Sequence, residues 1–296
     1  MRNPVPGHDE RLRRPAGIRS LRLGDITVTY VPDGAVRLKP RGWFPDTTDE
    51  VWAARPEYLD DSGHLVAGIG GLLVEHGDRA LLIDAGYGPQ KLPDDPDAPY
   101  AGLHGGALLE NLAALGRGPE GIEAVAFTHL HVDHIGWAWL PVPGGDRLAF
   151  AGADHLVSGP EWARHDLAEE QGTTAGMLAA MAPRVRTVAD GEEIFPGVRM
   201  VLASGHTAGH ASYVITSGGR RLIAFGDALH SPIQIGHPEW PAVVDHDPVA
   251  STDVRRRLVA ELEKPGTIGF GVHFADVVFG HVRRDGDGPA WRAHPE

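Results

Sequence analysis

Apolar and polar residues alternate over Ile26 to Val31 (ITVTYV), which predicts a strand closed by the turn signal Pro32-Asp33-Gly34. The stretch from Arg37 to Ser62 has no clean period and reads as an excursion over the surface. Ala67–Glu75 and Ala80–Ile83 form the next strands, joined at His76-Gly77-Asp78. A Gly- and Pro-rich loop is expected from Gly86 to Pro99, then a short helix from Gly106 to Leu115 that stops at Gly116. Ile122–Phe127 reads as a buried strand, Leu148–Ala151 and His155–Val157 as short strands, and Glu161–Met181 as mostly helix, weakened by Gly172 and Gly176.

Val198–Ala203 and Ala211–Ile215 are expected strands on either side of a loop carrying two histidines, followed by the strand Arg221–Phe225. The clearest helix runs from Ser251, its expected cap, to Leu262, with Val254, Leu258 and Leu262 on one face. A last strand, Ile268–Val272, leads into His273. Strands and helices do not alternate regularly, so the pattern predicts an α+β fold of helical layers and antiparallel-rich sheet. Residues 1–19, rich in Arg, Pro and Gly, read as a flexible arm, and residues 20–296 as a single domain.

Composition narrows the chemistry. The 296 residues carry a formal net charge of -13, which disfavours nucleic acid and anionic membranes as partners. No cysteine is present, so thiolate zinc sites and disulfide scaffolds are excluded and His, Asp and Glu remain as metal ligands. The N-terminal segment lacks an apolar core of the kind a secretory signal needs, and the apolar runs are too short to span a bilayer. A cytoplasmic location is the expectation.

The segment Thr128-His129-Leu130-His131-Val132-Asp133-His134 comes straight off an apolar strand. His129 and His131 are two apart, so an extended chain points both the same way. Burying four such groups without a partner would cost several kcal/mol, and a metal is the partner that fits them. Three later residues follow strands in the same manner: His206 in SGHTAGH, Asp227 in FGD and His273 in GVHF.

The HLHVDH block, SGHTAGH and FGD resemble, in order, the ligand motifs of the metallo-β-lactamase superfamily in its dinuclear hydrolytic form. The resemblance runs from about Ile69 to the C-terminus and implies a four-layer α/β-β/α sandwich with the metals at one edge. By motif, His129, His131 and His206 would hold one metal ion, Asp133, His134 and His273 a second, and Asp227 would bridge both. Asp84 matches an acid that supports the ligands from behind, and His210 is a candidate for the same task. Two divalent ions are implied, most simply zinc, with manganese, iron or cobalt as alternatives.

Departures from the family pattern narrow the branch. The bridging position is Asp227 and no cysteine is available, unlike the second metal site of class B β-lactamases; diiron relatives tend to carry an acid where His131 stands. The sequence after Asp227, through His230, His237-Pro238-Glu239-Trp240 and Asp245-His246-Asp247, is similar to the lactonase and parathion-hydrolase-like branch. A tyrosine often stands in lactonases where His230 is, and His230 is the candidate substitute for its hydrogen bond. Asp133 and His230 are therefore the expected catalytic residues. The expected substrate is a small ester-like molecule, a lactone, an aryl or carboxylic ester or an organophosphate, attacked by a metal-bridging hydroxide. Alternatives are a thioesterase of glyoxalase II type, or a non-hydrolytic cyclase-like biosynthetic protein. Trp43, Phe44, Trp52, Trp137 and Trp139 are the aromatics expected to wall an apolar pocket, and a homodimer is the expected assembly.

Overall fold

The computed structural model describes residues 8–286 and 288–295. Among these, two β-sheets stack face to face. In the first, the order is Lys91–Asp94, Tyr100–His104, Ile26–Leu38, Leu65–His76, Arg79–Ile83, Ala124–Ala126, Asp154–Ser158 and Val185–Val188, with Arg19–Leu23 also paired to Ile26–Leu38. The second runs in chain order through Glu193–Phe195, Val198–Leu202, Ala211–Ser217, Arg220–Ala224, Thr267–Phe270, Phe279–Asp285 and Gly288–Ala293.

Strand periodicity explains the layering. Leu72, Val74, Leu81 and Ile83 face inward and meet Val198, Met200, Tyr213, Ile215 and Leu222 of the other sheet. Their neighbours Leu73, Ala80 and Leu82 face outward and are covered by Leu108, Leu112, Ile135 and Trp137. On the far side, Val254, Leu258 and Leu262 of the helix Pro248–Leu262 cover Ile223 and Phe225. Helix, sheet, sheet and helix form the expected four-layer α+β sandwich.

Several elements differ from the sequence expectation. The turn signal at Pro32-Asp33-Gly34 does not end its strand, which continues to Leu38. Both flanks find partners on Leu65–His76, and the register shifts between Pro32 and Gly34, so the three residues form a bulge. The bulge leaves Asp33 buried as an anchor. Its Oδ2 accepts from the Tyr87 and Gly88 N–H groups at 2.8 and 2.9 Å. Its Oδ1 accepts from Gly106 and Leu108 N–H and from the Trp137 indole at 3.1, 2.8 and 2.9 Å.

Leu148–Ala151, expected as a strand, is a turn with one isolated bridge from Leu148 to Pro141. The expected helix over 161–181 breaks into Gly159–Ala163, a 3-10 stretch His165–Gln171 and Ala175–Met181. The break falls at Gly172, whose φ of 86° lies where side chains are strained. The long helix begins three residues early: Asp247 caps it by accepting from Val249 and Ala250 N–H, and Ser251 is buried inside. The excursion from Arg37 to Ser62 contains short helices and folds Phe44 and Trp52 into a cluster with Trp240.

Residues 1–7 of the expected arm lie outside the described residues. From His8 the chain is held: Leu12 and Ala16 are buried, and Arg14 and Arg19 pair with the buried Asp276 at 2.9 and 2.7 Å. No helix among the described residues is long and apolar enough to cross a membrane.

Asp33 ties the cavity loop at Tyr87 to the helix Val132–Trp139, so its loss strands several buried N–H groups. Asp33→Ala is expected to lower the unfolding free energy by about 3–5 kcal/mol, the scale of a broken buried network. Urea denaturation of both proteins measures it, and a loss below about 1 kcal/mol would contradict the anchoring role.

Candidate metal centre

The chemistry-bearing residues gather at one edge because the parallel-paired strands deliver them there. Arg79–Ile83, Ala124–Ala126 and Asp154–Ser158 run parallel in the first sheet, and Arg220–Ala224 and Thr267–Phe270 run parallel in the second. Just past their C-terminal ends stand Asp84, His129, Glu161, Asp227 and His273. His206 and His210 come from the loop between Val198–Leu202 and Ala211–Ser217. His131 immediately precedes the helix Val132–Trp139, whose first turn carries Asp133 and His134.

All seven sequence-predicted ligands come together, in two groups whose ligand atoms lie within 4.8 Å of one another: His129, His131, His206 and Asp227, and Asp133, His134 and His273. Asp227 stands between them. Its Oδ1 lies 3.1 Å from His134 Nε2 and 3.0 Å from His273 Nε2. Its Oδ2 lies 3.6 Å from His206 Nε2 and 3.8 Å from His129 Nε2. Asp133 Oδ2 is 3.7 Å from His134 Nε2 and 3.9 Å from His273 Nε2.

Four of the rings are fixed from behind. His129 Nδ1 is 3.0 Å from the Thr128 hydroxyl, and His134 Nδ1 is 2.9 Å from Asp84 Oδ2. Asp84 also accepts from Thr128 N–H and hydroxyl, so one carboxylate registers the ligand loop and one of its rings. His206 Nδ1 is 3.0 Å from Asp245 Oδ1, and Asp245 Oδ2 is 2.8 Å from the buried Arg255 guanidinium. His273 Nδ1 is 2.7 Å from the Gly68 carbonyl. In each case Nε2 is the atom left to face the centre. His131 turns the other way, its Nδ1 3.2 Å from His206 Nε2.

The donor set fits divalent metal ions. His129 Nε2, His134 Nε2 and Asp227 Oδ1 are buried without a hydrogen-bond partner, a costly state that an ion relieves. Burial and the neighbouring imidazoles hold His129 and His131 well below the usual histidine range, which keeps them neutral and able to ligate. Burial opposes charge on His134, yet Asp227, Asp133 and Asp84 outweigh it and raise its pKa. Burial likewise opposes ionisation of Asp227, but the rings around it hold its pKa well below the usual carboxylate range.

Two other histidines adjoin the centre. His210 Nε2 accepts from the Asp227 N–H at 3.0 Å, so it fixes the backbone of the shared aspartate. Burial, with His206 beside it, pushes the His210 pKa down to about 3, which keeps that acceptor available. His230 Nε2 lies 3.2 Å from Asp227 Oδ2, and its ring meets Trp43 edge-on at 5.2 Å between centroids. It belongs to neither ligand group.

A cavity of about 410 Å³ opens onto Asp133, Asp227, His230 and His273. Val36, Leu38, Trp43, Tyr87, Tyr100 and Leu103 wall it. Of the five aromatics expected there, only Trp43 is in place. Phe44 and Trp52 pack behind it against Trp240, Trp137 is spent on Asp33, and Trp139 packs in the outer helical layer. Tyr87 and Tyr100 were not singled out in the sequence, since one sits in a loop and the other opens a short strand, neither within a motif. Glu161, Asp33 and Asp245 were also missed as organisers. Their one available signal was a carboxylate next to a strand end, a turn or a helix start.

Solved structures with the same architecture include AidC, a dizinc quorum-quenching lactonase in complex with a product, at 22% identity and a TM-score of 0.80, covering 95% of this chain and 98% of that one. The hydrolase AbOPH in the beta lactamase superfamily matches at 25% identity and a TM-score of 0.79, over the same shares. A probable metal-dependent hydrolase from Staphylococcus aureus matches at 19% identity and 0.74, over 93% and 99%. Comparison with curated proteins found no match. The model of the metallo-beta-lactamase superfamily matches residues 72–271, and the chain belongs to that superfamily.

Proposed function

We propose that the chain is a dinuclear metal-dependent hydrolase of a small, neutral, ester-like substrate: a lactone, an aryl or carboxylic ester, or an organophosphate. The observation that carries this reading is the division of Asp227 between two histidine groups at the floor of an apolar cavity. The ligand assignment is the one the motifs imply: His129, His131 and His206 for one ion, Asp133, His134 and His273 for the other, and Asp227 for both. Cysteine-free His and Asp ligation suits zinc. The lactonase and hydrolase named among the structural relatives support the reaction class.

When bound, such an ion pair supplies an activated water at neutral pH and polarises a carbonyl or phosphoryl oxygen. The chain's own groups do the rest. Trp43, Leu38, Leu103 and Val36 receive the apolar part of the substrate and exclude water from it. His230, next to the shared carboxylate and exposed to the same cavity, donates a hydrogen bond to the substrate oxygen on which charge develops. Asp133, whose side chain keeps 20% of its surface exposed, is the acidic ligand nearest the cavity mouth and steers the attacking water.

The rim favours neutral esters over the anionic thioesters of the alternative reading. Glu169 and Glu170 line the cavity with Asp133, adding negative charge where an anionic carrier would have to enter.

Elemental analysis is expected to give about two ions per chain, because the seven ligands make two sets only with Asp227 shared. Asp227→Asn should loosen both ions and reduce turnover to background, and a single ion per zinc-supplemented chain would count against the reading. His230→Ala should keep both ions and lose about 10–10³-fold in kcat, the scale of a missing oxyanion donor or acid. Loss of an ion on that substitution would reassign His230 as a ligand. For substrates, kcat/KM should be higher for aryl esters and medium-chain lactones than for coenzyme A thioesters, and nearly independent of salt for the neutral ones. A preference for the anionic thioester, with rates falling steeply as salt rises, would transfer the proposal to a thioesterase.

A further inference from the structure

The loop carrying His129 and His131 and the loop carrying His206 belong to different sheets, and no strand pairing fixes the distance between these histidines. The Ala211 N–H donates to the Thr128 carbonyl at 2.7 Å at the base of the two loops, and nearer the histidines one buried carboxylate spans the gap. Glu161 Oε1 accepts from the Leu130 N–H at 3.0 Å, between the two histidines of the first loop. Its Oε2 accepts from the Thr207 hydroxyl at 2.6 Å and from the Gly209 N–H at 2.9 Å, on either side of Ala208 in the second loop.

The contact is reinforced around the carboxylate. The Ser158 hydroxyl donates to the Gly209 carbonyl at 2.5 Å and accepts from the Glu161 N–H at 3.2 Å. Position 209 must be glycine for this approach, since a Cβ there would collide with the Glu161 backbone. The Thr173 hydroxyl donates to the Leu130 carbonyl at 2.6 Å, completing the grip on the first loop. Between the two loops, His131 Nδ1 and His206 Nε2 end 3.2 Å apart.

The other ligand group is held by different means. Asp84 fixes His134, and the Gly68 carbonyl fixes His273, with no contribution from Glu161. Glu161 also lies away from the substrate cavity, lining a separate recess of about 210 Å³ behind His131 and His206. Its carboxylate is spent on three donors, so proton transfer to substrate is not its task.

We infer that Glu161 is a positioning residue that sets the separation of His131 and His206, and thereby the affinity and geometry of the metal position those histidines form with His129. The inference rests on the dinuclear reading. Replacement of one carboxylate should therefore act on one ion of the two. Glu161→Gln keeps an acceptor for Leu130 but presents its amide to the Gly209 N–H, which loosens the second loop. Glu161→Ala removes both anchors.

The test is competitive titration of zinc and of cobalt into the apo forms of wild type, Glu161→Gln, Glu161→Ala and Asp84→Asn, with thermal melting and the visible spectrum of the cobalt forms recorded alongside. Glu161→Gln is expected to weaken one ion by about 10–100-fold, the usual effect of losing an outer hydrogen-bond partner of a metal site. The second ion should keep its affinity, and the cobalt spectrum should change only for the weakened position. Glu161→Ala should lose that ion altogether. Asp84→Asn should weaken the other ion through His134 and also touch the first through Thr128 and His129, so that Glu161→Gln is the variant expected to act on one ion alone. If Glu161→Ala does not fold, the isosteric Gln variant decides alone. Two ions at wild-type affinity with an unaltered cobalt spectrum in the Gln variant would overturn the inference. So would equal weakening of both ions together with a broadened melt, which marks general loosening. A wild-type chain that binds fewer than two ions would overturn the dinuclear reading itself, and this inference with it.

Discussion

Asp227 is a buried carboxylate with five imidazole nitrogens within 3.0–3.8 Å of its oxygens, and most of the surrounding structure serves to keep those rings where they are. Imidazoles gathered around one carboxylate repel one another when charged, and burial makes each charge more costly. The arrangement is stable only if proton positions are specified. Thr128, Asp84, Asp245 and Gly68 do this from behind, each engaging an Nδ1 and leaving Nε2 toward the centre. The orientation of the rings thus begins outside the cluster itself.

The same device recurs throughout the chain. A protein without cysteines holds its loops with buried acids that accept several hydrogen bonds each: Asp33 for the cavity loop, Glu161 for the two histidine loops, and Asp245 for His206, Arg255 and the Ala242 N–H. Asp276 does the corresponding work on side chains, drawing Arg14 and Arg19 onto the end of the last site loop. A carboxylate suits this task because it offers about four acceptor positions and keeps full charge when several donors surround it. The acidic balance of the composition therefore includes structural members as well as solvated surface.

What the sequence revealed and what it hid follow from the same physics. Metal chemistry restricts residue type sharply, so His129, His131, Asp133, His134, His206, Asp227 and His273 were legible from type, spacing and strand ends, and the structure brings them together. The anchors were not legible. Asp33 looked like a turn former because Pro-Asp-Gly is a turn signal wherever the flanking strands do not find partners, and here they did. Glu161 binds backbone groups of distant segments and Asp245 the His206 ring and the Arg255 guanidinium, which leaves no pattern in the local sequence. The last hairpin, Phe279–Asp285 with Gly288–Ala293, escaped notice because its charged outer face interrupts the apolar alternation. The cavity aromatics failed for another reason: which face a tryptophan takes depends on the packing of layers, and nearness in sequence to the site carries no information about it.

His230 stands apart from the ring cluster in one respect that bears on how the fold divides its labour. Its backbone is fixed, the N–H donating to Gln234 Oε1 at 2.6 Å, and Gln234 is held in turn by the Trp240 carbonyl at 3.0 Å. Its ring is held differently: Nε2 lies 3.2 Å from Asp227 Oδ2, the ring stacks on His273 and meets Trp43 edge-on, and Nδ1 has no hydrogen-bond partner among the described residues. The four anchored rings each give one nitrogen to the scaffold and one to the centre. A ring whose Nδ1 no scaffold group engages keeps that atom for whatever enters the cavity, and a buried unpartnered nitrogen is stabilised when it finds a partner. Burial also holds its pKa below the usual histidine range, with Asp227 opposing the shift, so it faces the cavity as a neutral imidazole with one donor and one acceptor. In the proposed reaction a neutral ring of that kind would strengthen its hydrogen bond as charge grows on a substrate oxygen. The scaffold thus spends its anchors on the four rings held from behind and leaves His230 to packing and to Asp227.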